Sequence, residues 1–354
     1  MIPLIIPNSL ILYKSSSMTQ IQQSISLKPY NTFGIEANAL YFFDCQTEEE
    51  LTEILDNPKY KLLAKLIIGG GSNILFTKNF DGLIILNSIK GKEILHEDDS
   101  TVILRVGAGE DWDELVEYTV NNDWAGLENL SYIPGNVGAS PIQNIGAYGE
   151  EVKNTIQKVE TIDVNNLEKN IYKNEECHFG YRSSIFKYEL QNKRIITHVT
   201  FMLNKKHIFN LNYGVLEETL KQKGKATLQN IRNSVIEIRK SKLPEPEKLG
   251  SAGSFFKNPV ITSKKLKKIQ QSFPNIPFYK LAEDKIKIPA GWLIDQLGWK
   301  GYHEGDAGVH KQQALVLVNY GKATGQQIYN LSQKIIQSVK EAYDIQLEYE
   351  VNVI

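Results

Sequence analysis

Hydrophobic and polar positions follow two periods along the chain, and each period predicts a different element. Over residues 26–86 the pattern is typical of strand, helix, strand and strand, with a helix beginning after Thr47 because Glu50 completes a capping box. Apolar residues at helical spacing predict further helices over 111–121, over 228–242 and over 324–343. Apolar runs predict strands over 101–109, 152–164 and 194–203. The alternation over residues 26–86 is typical of a small α/β unit.

The two ends of the chain show different patterns. The final segment, DIQLEYEVNVI, alternates and predicts a strand that places Glu348 and Glu350 together on one face. The first segment, MIPLIIPNSLILYKSSS, is apolar, but it contains Pro3 and Pro7 and lacks the basic start of a signal peptide. It is also shorter than the roughly 20 apolar residues that span a bilayer. We expect residues 1–17 to be a disordered extension, with Met18 as an alternative start.

The most distinctive stretch is residues 132–149, which contain four glycines, two prolines and no charged side chain. Pro134 and Pro141 exclude a continuous helix or central strand, while glycine permits positive φ and close approach of the backbone. The stretch is therefore predicted to be buried and irregular, and its N–H and C=O groups need partners. A bound cofactor would supply them, and so would a crossover packed beneath another layer.

A second glycine-rich turn, GGGSN at residues 69–73, ends a predicted buried strand. Successive N–H groups in such a turn can hold an anion. The turn is not a dinucleotide-binding fingerprint, because Ile74 stands where the third glycine is required. It is not a P-loop either, because no Gly-Lys-Ser/Thr follows.

Composition and charge narrow the function classes. A chain of 354 residues suits two or three domains. Its 40 Lys+Arg nearly balance 41 Asp+Glu, so no general affinity for polyanions is expected. Residues 221–268 differ, with thirteen Lys/Arg against three Glu, which predicts an anionic ligand or a solvated helix face. Cys45 and Cys177 are isolated and suit a reducing compartment.

Several polar side chains stand in apolar or stiff surroundings. Arg182 lies in CHFGYRSSIFK, where a partly buried guanidinium needs an acceptor, in a ligand or in a structural salt bridge. Arg239 and Lys242 end a helix before LPEP, and Ser254 stands in GSAGSFFKNP. The six histidines show no paired metal-ligand spacing, and no GxSxG motif is present. These residues favour an exogenous cofactor and an anionic substrate, and hydride chemistry requires such a cofactor.

The motifs together resemble those of the UDP-N-acetylenolpyruvoylglucosamine reductase family, flavoenzymes that make UDP-N-acetylmuramate for bacterial peptidoglycan. The resemblance runs from about residue 24 to the last residue. Its elements, in chain order, are NTFGIEANA, IIGGGSNILF, YIPGNVGASPIQNIGAYG, FGYRSSIFK, KLPEP, GSAGSFFKNP, GWLIDQLGWKG, HKQQALVLVN and LEYEV. LNYG and PFYK are similar to the subclass that carries a tyrosine loop.

The resemblance implies a fold and a domain organisation. The fold class is α+β, with a p-cresol-methylhydroxylase-type FAD-binding portion of two α+β subdomains and a C-terminal α+β substrate-binding domain. Residues 1–23 would be an extension, 24–88 the first FAD-binding subdomain and 89–226 the second. Residues 227–344 would bind substrate, and a C-terminal strand over 345–354 would join the second subdomain.

The resemblance also implies roles for individual residues. Arg182 would stabilise the enolpyruvyl carboxylate, Ser254 would donate a proton, and Glu350 would complete the charge network. The implied FAD-binding residues are Gly69, Gly70, Gly71, Ser72, Asn73, Tyr132, Pro134, Gly135, Gly138, Ala139, Gln143, Asn144, Gly146, Ala147 and Tyr148. The implied substrate-binding residues are Tyr213, Arg239, Lys242, Asn258, Tyr279 and Gln313.

The expected reaction uses NADPH to reduce FAD, which then reduces UDP-N-acetylglucosamine enolpyruvate. FAD is expected to be held non-covalently, because the 132–149 loop offers neither histidine nor cysteine for a covalent link. We expect a cytoplasmic monomer that binds no metal, membrane or nucleic acid. The alternatives are a different flavin oxidase or dehydrogenase of the same fold, and a nucleic-acid-binding module built on the basic segment, although that segment lacks an interleaved aromatic stripe.

Overall fold

The first part of the chain forms a small sheet covered by two helices. The computed structural model describes residues 21–211, 214–245 and 248–354, so the predicted extension up to residue 20 and Tyr213 lie outside the described residues. The elements are β1 (Gln22–Ser26), β2 (Asn38–Cys45), α1 (Glu48–Asp56), α2 (Pro58–Lys61), β3 (Lys65–Ile68), β4 (Ile74–Leu75) and β5 (Phe80–Asn87). The sheet order is β1-β2-β5-β3, with β2, β5 and β3 parallel. Parallel strands need a crossover, and α1 and α2 provide it between β2 and β3, which lie on either side of β5.

The start of α1 shows how the local sequence sets an element. The Thr47 hydroxyl accepts a hydrogen bond from the Glu50 backbone N–H, which satisfies an N–H group that the helix leaves unpaired. The Glu50 carboxylate accepts from the Gln46 backbone N–H, one residue before the position that a capping box would use. The predicted helix start is therefore confirmed, with a shifted partner for Glu50.

The middle of the chain forms an antiparallel sheet in the order β11-β10-β12-β7-β6. The elements are β6 (Lys92–Glu97), β7 (Thr101–Gly107), α3 (Trp112–Asn121), β8 (Gly146–Ala147), β9 (Glu150–Glu151), β10 (Ile156–Asp163), β11 (Lys169–Lys173), β12 (Arg194–Asn204), α4 (Gly214–Lys223) and α5 (Leu228–Lys242). As predicted, α3 buries Trp112, Leu115, Val116 and Val120. Arg232 on α5 pairs with Asp113 on α3 at 2.6 Å, which fixes the later helices against this unit.

The last part contains a four-stranded sheet in the order β13-β19-β18-β17 and a three-stranded sheet in the order β14-β16-β15. The elements are β13 (Gly250–Ser254), β14 (Val260–Ile261), α6 (Ser263–Gln270), β15 (Tyr279–Ala282), β16 (Lys285–Lys287), α7 (Ala290–Gln296), β17 (His303–Glu304), β18 (Ala307–Val309), β19 (Val316–Asn319), α8 (Gly325–Tyr343) and β20 (Asn352–Val353). Thr324 caps α8 in a capping box with Gln327. One hydrophobic core joins this part to the first sheet, from Leu27 to Val351.

The C-terminal segment departs from its prediction in the length and the partner of its strand. Only Asn352–Val353 form a strand, and that strand pairs with β4 of the first unit, not with the sheet of residues 89–226. The predicted alternation persists, because Ile345, Leu347 and Val351 are buried. Glu348 pairs with Lys257, whereas Glu350 pairs with Arg182. Within the described residues, no helix has the length and apolar character needed to cross a membrane.

Candidate active site

The two glycine-rich segments lie against each other. A Cβ added at Gly70 would stand 3.2 Å from Cα of Gly135, so the close approach depends on both residues being glycine. The Ser72 hydroxyl donates a 2.9 Å hydrogen bond to the Pro134 carbonyl, and the Asn73 amide donates a 3.0 Å bond to the Gln143 side chain. The turn and the loop, which are separate in sequence, thus form one surface.

That surface lines a large cleft, with an empty volume of about 1150 Å³ that opens to solvent. Ten of the predicted FAD-binding residues line it: Gly69, Gly70, Gly71, Ser72, Asn73, Pro134, Gly135, Gly138, Ala139 and Gln143. Asn144 does not line it and instead supports the loop, because its amide donates to Glu151 and to the Gly180 carbonyl. The other four predicted FAD-binding residues also lie outside the lining of this cleft: Tyr132, Gly146, Ala147 and Tyr148.

The loop is less buried than the sequence predicts, and its positive φ angles fall on two of the predicted glycines, Gly135 and Gly149, and also on residues with side chains. Pro134, Ala139 and Ile142 are exposed, and all three face the cleft. Tyr132 and Asn144 have φ of 59° and 45°, in a region that side chains other than glycine rarely adopt. Backbone strain of this kind concentrates at binding sites, where surrounding contacts hold it in place.

The lining of the cleft fits FAD. It offers glycine-rich backbone, five amide side chains and apolar surface, which suits a large, mostly planar cofactor. The buried Nζ of Lys187 lacks a hydrogen-bond partner among the described residues, although Lys187 lines this cleft.

A second cleft of about 640 Å³ shares a wall with the first, formed by Ser72, Asn73, Pro134 and Gln143 among others. The side chains that distinguish it are Arg182, Arg239, Ser254 and Glu350. All three predicted catalytic residues therefore lie in one cleft, although they come from three distant parts of the chain.

Arg182 and Glu350 form an ion pair at the centre of the second cleft. Nε of Arg182 is 2.8 Å from Oε1 of Glu350, and its Nη2 donates a 2.7 Å hydrogen bond to the Gly146 carbonyl. The two side chains are only 20% and 14% exposed, so solvent screens the pair weakly. The Glu350 carbonyl accepts a bond from Asn73, which ties the pair to the shared wall.

Arg239 brings a second guanidinium into this cleft from α5. Its Nε donates to the Tyr132 carbonyl at 2.9 Å. Burial lowers the pKa of Arg239, and the neighbouring Arg182 lowers it further. Two guanidinium groups facing one cleft and only one carboxylate indicate a site that accepts an anionic ligand.

The other predicted substrate-binding residues that the structure describes do not line the second cleft. Lys242 is exposed at the end of α5, and the Gln313 side chain accepts a 3.4 Å bond from the Leu315 backbone. Asn258 accepts from the Ala290 backbone at 2.8 Å. Tyr279 is exposed on β15. Tyr213 lies outside the described residues.

Two lysines near the clefts escaped the sequence analysis. Lys187 ends the FGYRSSIFK motif and lines the first cleft. Lys287 on β16 places its Nζ 5.3 Å from the Tyr181 ring and 5.5 Å from the Tyr279 ring, so it links the residue beside Arg182 to the last sheet. Its pKa is lowered by burial and by the charge of Arg182. In the sequence, Lys187 and Lys287 were marked only by their position in or near one of the motifs that carry the family resemblance.

The fold partly neutralises the basic segment. Lys223 pairs with Glu237, Arg232 with Asp113, Lys257 with Glu348 and Lys265 with Asp344. Three of these acids lie outside residues 221–268, so the ion pairs reduce the local excess of positive charge without removing it. Among the cations of this segment that the structure describes, Arg239 lines the second cleft.

Two other groups of reactive side chains lie apart from the clefts. Glu48, Glu160 and His198 come within metal-binding distance of one another, but Arg105 donates to Glu160 and Lys169 pairs with Glu48. Burial raises the pKa of Cys45 and Cys177 to about 12, so neither thiol is reactive at neutral pH.

Comparison with known proteins agrees with this geometry. Residues 39–166 match the family model for an FAD binding domain, and residues 245–354 match that for the C-terminal domain of UDP-N-acetylenolpyruvoylglucosamine reductase. These matches confirm the predicted α+β fold class with its p-cresol-methylhydroxylase-type FAD-binding portion.

Full-length relatives lead to the same family. A UDP-N-acetylenolpyruvoylglucosamine reductase from Flavobacterium johnsoniae is 50% identical, over 95% of this chain and 100% of the relative. Another from Amoebophilus asiaticus is 47% identical, over 94% of this chain and 99% of the relative. The crystal structure of the Thermus caldophilus reductase has the same fold, with a TM-score of 0.66, 24% identity and coverage of 94% and 98%. This chain belongs to the UDP-N-acetylenolpyruvoylglucosamine reductase family.

Proposed function

We propose that this protein uses NADPH and non-covalently bound FAD to reduce the enolpyruvyl group of UDP-N-acetylglucosamine enolpyruvate, giving UDP-N-acetylmuramate for peptidoglycan. The observation that carries the proposal is the shared wall between two clefts, one with mostly backbone and amide lining and one with paired charges and a hydroxyl. Such a wall would let a cofactor in the first cleft meet a substrate in the second.

The residues of the second cleft have separate tasks in this proposal. Bound FAD supplies hydride transfer from NADPH to a substrate carbon. Arg182 faces the enolpyruvyl carboxylate and stabilises negative charge that develops toward it, an effect that is strong in a site with little water. Glu350 holds the Arg182 guanidinium through the 2.8 Å ion pair. Ser254 donates a proton to the carbon next to the carboxylate.

Substrate binding would use the cations and polar groups around the second cleft. Arg239 is half-buried in the cleft wall, and Lys242 follows it on the same helix, so both can approach a diphosphate. Asn258, Tyr279 and Gln313 lie in the last part of the chain and would contact the sugar nucleotide from that side. Tyr213 is proposed from the family motif alone.

The test separates the two half-reactions. Ser254→Ala should keep bleaching of the bound flavin by NADPH but lose reoxidation by the enolpyruvyl sugar nucleotide, falling by about 10²- to 10⁴-fold, because only the second step needs the proton. Ser251→Ala, on the same strand but outside the second cleft, is the matched control. Equal loss of both half-reactions in Ser254→Ala would contradict the proton-donor role.

The protein is further proposed to act as a cytoplasmic monomer. The two unreactive, buried thiols support a reducing compartment. Sedimentation of the FAD-loaded protein at micromolar concentration measures the oligomeric state, and a concentration-dependent dimer would contradict the proposal.

A further inference from the structure

Asp113 joins three separate parts of the molecule. It lies in the first turn of α3, and its Oδ1 accepts a 2.5 Å hydrogen bond from the Tyr132 backbone N–H. The same carboxylate accepts bonds of 2.6 and 3.1 Å from the two terminal nitrogens of Arg232 on α5. One carboxylate therefore connects α3, the start of the 132–149 loop and the helix that carries Arg239.

Arg232 fixes the direction of the Asp113 carboxylate. The Arg232 side chain is only 6% exposed, and its planar guanidinium donates two parallel bonds, which restrict a carboxylate more than a single bond would. Glu117 is another acid near Arg232, but its Oε1 lies 3.9 Å away and its side chain is 60% exposed. The doubly bonded contact with Asp113 is therefore the stronger of the two.

The backbone conformation of Tyr132 depends on this carboxylate. Its φ is 59°, a value that residues with a side chain adopt where surrounding contacts hold them. Asp113 holds the N–H of Tyr132, and the carbonyl of Tyr132 accepts a 2.9 Å hydrogen bond from Nε of Arg239. Because the N–H and the carbonyl belong to one residue, a change at the N–H turns the carbonyl as well.

Arg239 is therefore oriented from two sides. Arg232 and Arg239 stand about two helical turns apart on α5, so they lie on the same face of the helix. Arg232 attaches that face to Asp113, and the Tyr132 carbonyl restricts the plane of the Arg239 guanidinium in the wall of the second cleft. Once Nε is held, the planar group presents its outer N–H groups in a fixed direction.

We propose that Asp113 is a positioning residue for substrate binding, which acts with Arg232 through the Tyr132 peptide to direct the Arg239 guanidinium into the second cleft. The inference rests on the proposed function, in which Arg239 approaches the diphosphate of the sugar nucleotide. Asp113 and Arg232 themselves lie outside the lining of both clefts. The simpler alternative is that their ion pair only ties α3 to α5.

The experiment measures two affinities of each variant. One is the affinity for FAD, and the other is that of the FAD-loaded protein for UDP-N-acetylglucosamine enolpyruvate without NADPH, followed by the flavin absorbance. Asp113 and Arg232 are replaced together, because either single change would leave a buried charge unpaired. Asp113→Ala with Arg232→Met should weaken binding of the sugar nucleotide about tenfold, the effect of losing one well-placed hydrogen bond to a charged group. FAD affinity should change by less than about threefold, because Tyr132 lies outside the first cleft.

Two further variants separate positioning from a tie between helices. Asp113→Asn with Arg232→Met keeps an oxygen for the Tyr132 N–H but lacks the ion pair, so it should restore most of the affinity for the sugar nucleotide. A tie between helices would leave this variant as weak as Asp113→Ala with Arg232→Met, which would overturn the inference. Glu117→Gln, which changes the exposed acid beside Arg232, is the control and should bind as the unmodified protein does.

A second comparison uses Arg239→Met as the background. If Asp113 acts through Arg239, adding Asp113→Ala and Arg232→Met should weaken binding of the sugar nucleotide by no more than about a further twofold. A further tenfold loss, an equal loss of FAD affinity, or unchanged affinity in Asp113→Ala with Arg232→Met would overturn the inference and leave the proposed function intact. An unmodified FAD-loaded protein whose spectrum does not respond to the sugar nucleotide would instead overturn the proposed function, together with the inference.

Discussion

The two adjoining clefts are built in opposite ways. The first takes most of its predicted lining from two continuous glycine-rich segments, whose backbone and amide groups face the cavity. The second depends on four side chains, Arg182, Arg239, Ser254 and Glu350, which come from a loop, a helix, a strand end and the C-terminal segment. A cofactor cleft made of backbone tolerates little change of shape, whereas a reaction cleft made of side chains tolerates little change of charge.

The largest expected effect tests the shape of the first cleft. Gly71 has φ of +62°, and a Cβ there would lie 2.0 Å from the Tyr30 carbonyl oxygen. Gly71→Ala therefore forces the turn to move, and we expect loss of FAD binding together with destabilisation of at least about 3 kcal/mol. Gly214→Ala, where no atom lies within 4 Å, is the control. FAD titration and urea unfolding measure both effects, and normal FAD affinity in Gly71→Ala would refute the backbone-cradle interpretation.

The next effect tests charge in the second cleft. Arg182→Lys keeps a cation but loses the planar fork that bonds the Gly146 carbonyl and faces Glu350. We expect reoxidation of the flavin by substrate to fall by about 10²- to 10³-fold, with FAD affinity unchanged. Rapid-mixing absorbance of each half-reaction makes the measurement. Equal loss of FAD binding would mean that Arg182 supports the first cleft and not the reaction.

The contrast between the clefts also explains what the sequence could predict. The 69–73 turn and most of the 132–149 loop could be assigned because glycine and proline restrict the backbone locally, whatever the rest of the chain does. Side-chain partners depend on tertiary structure. No local signal in the sequence therefore predicted the pairing of β20 with β4, the separate partners of Glu348 and Glu350, or the unpaired Lys187. The positive φ of Tyr132 and Asn144 was missed because side-chain residues rarely adopt it.

A smaller effect tests the contact between the two glycine-rich segments. Ser72→Ala removes the 2.9 Å hydrogen bond from the hydroxyl to the Pro134 carbonyl. The cost should be about 1 kcal/mol, seen as roughly fivefold weaker FAD binding, because the carbonyl keeps access to solvent in the cleft. Ser88→Ala serves as a control outside both cleft linings. An unchanged dissociation constant would show that the turn and the loop hold their relative position without this bond.

The smallest effect concerns Lys187 in the absence of cofactor. Its pKa of about 8 in the folded protein lies below the usual lysine value of 10.5, so the unfolded chain binds the proton more tightly between these pH values. Below pH 8 both states are protonated and the folded FAD-free protein carries the full cost of the buried charge. That cost disappears as the pH rises from 8 to 10.5, because the folded protein loses this proton first.

Lys187→Met removes the cost at every pH, and we expect it to stabilise the FAD-free protein by about 1 kcal/mol at pH 7, a value discounted for solvent screening. The advantage over the unmodified protein should vanish by about pH 10.5 in urea unfolding. A destabilised FAD-free protein would instead show that Lys187 supports the fold.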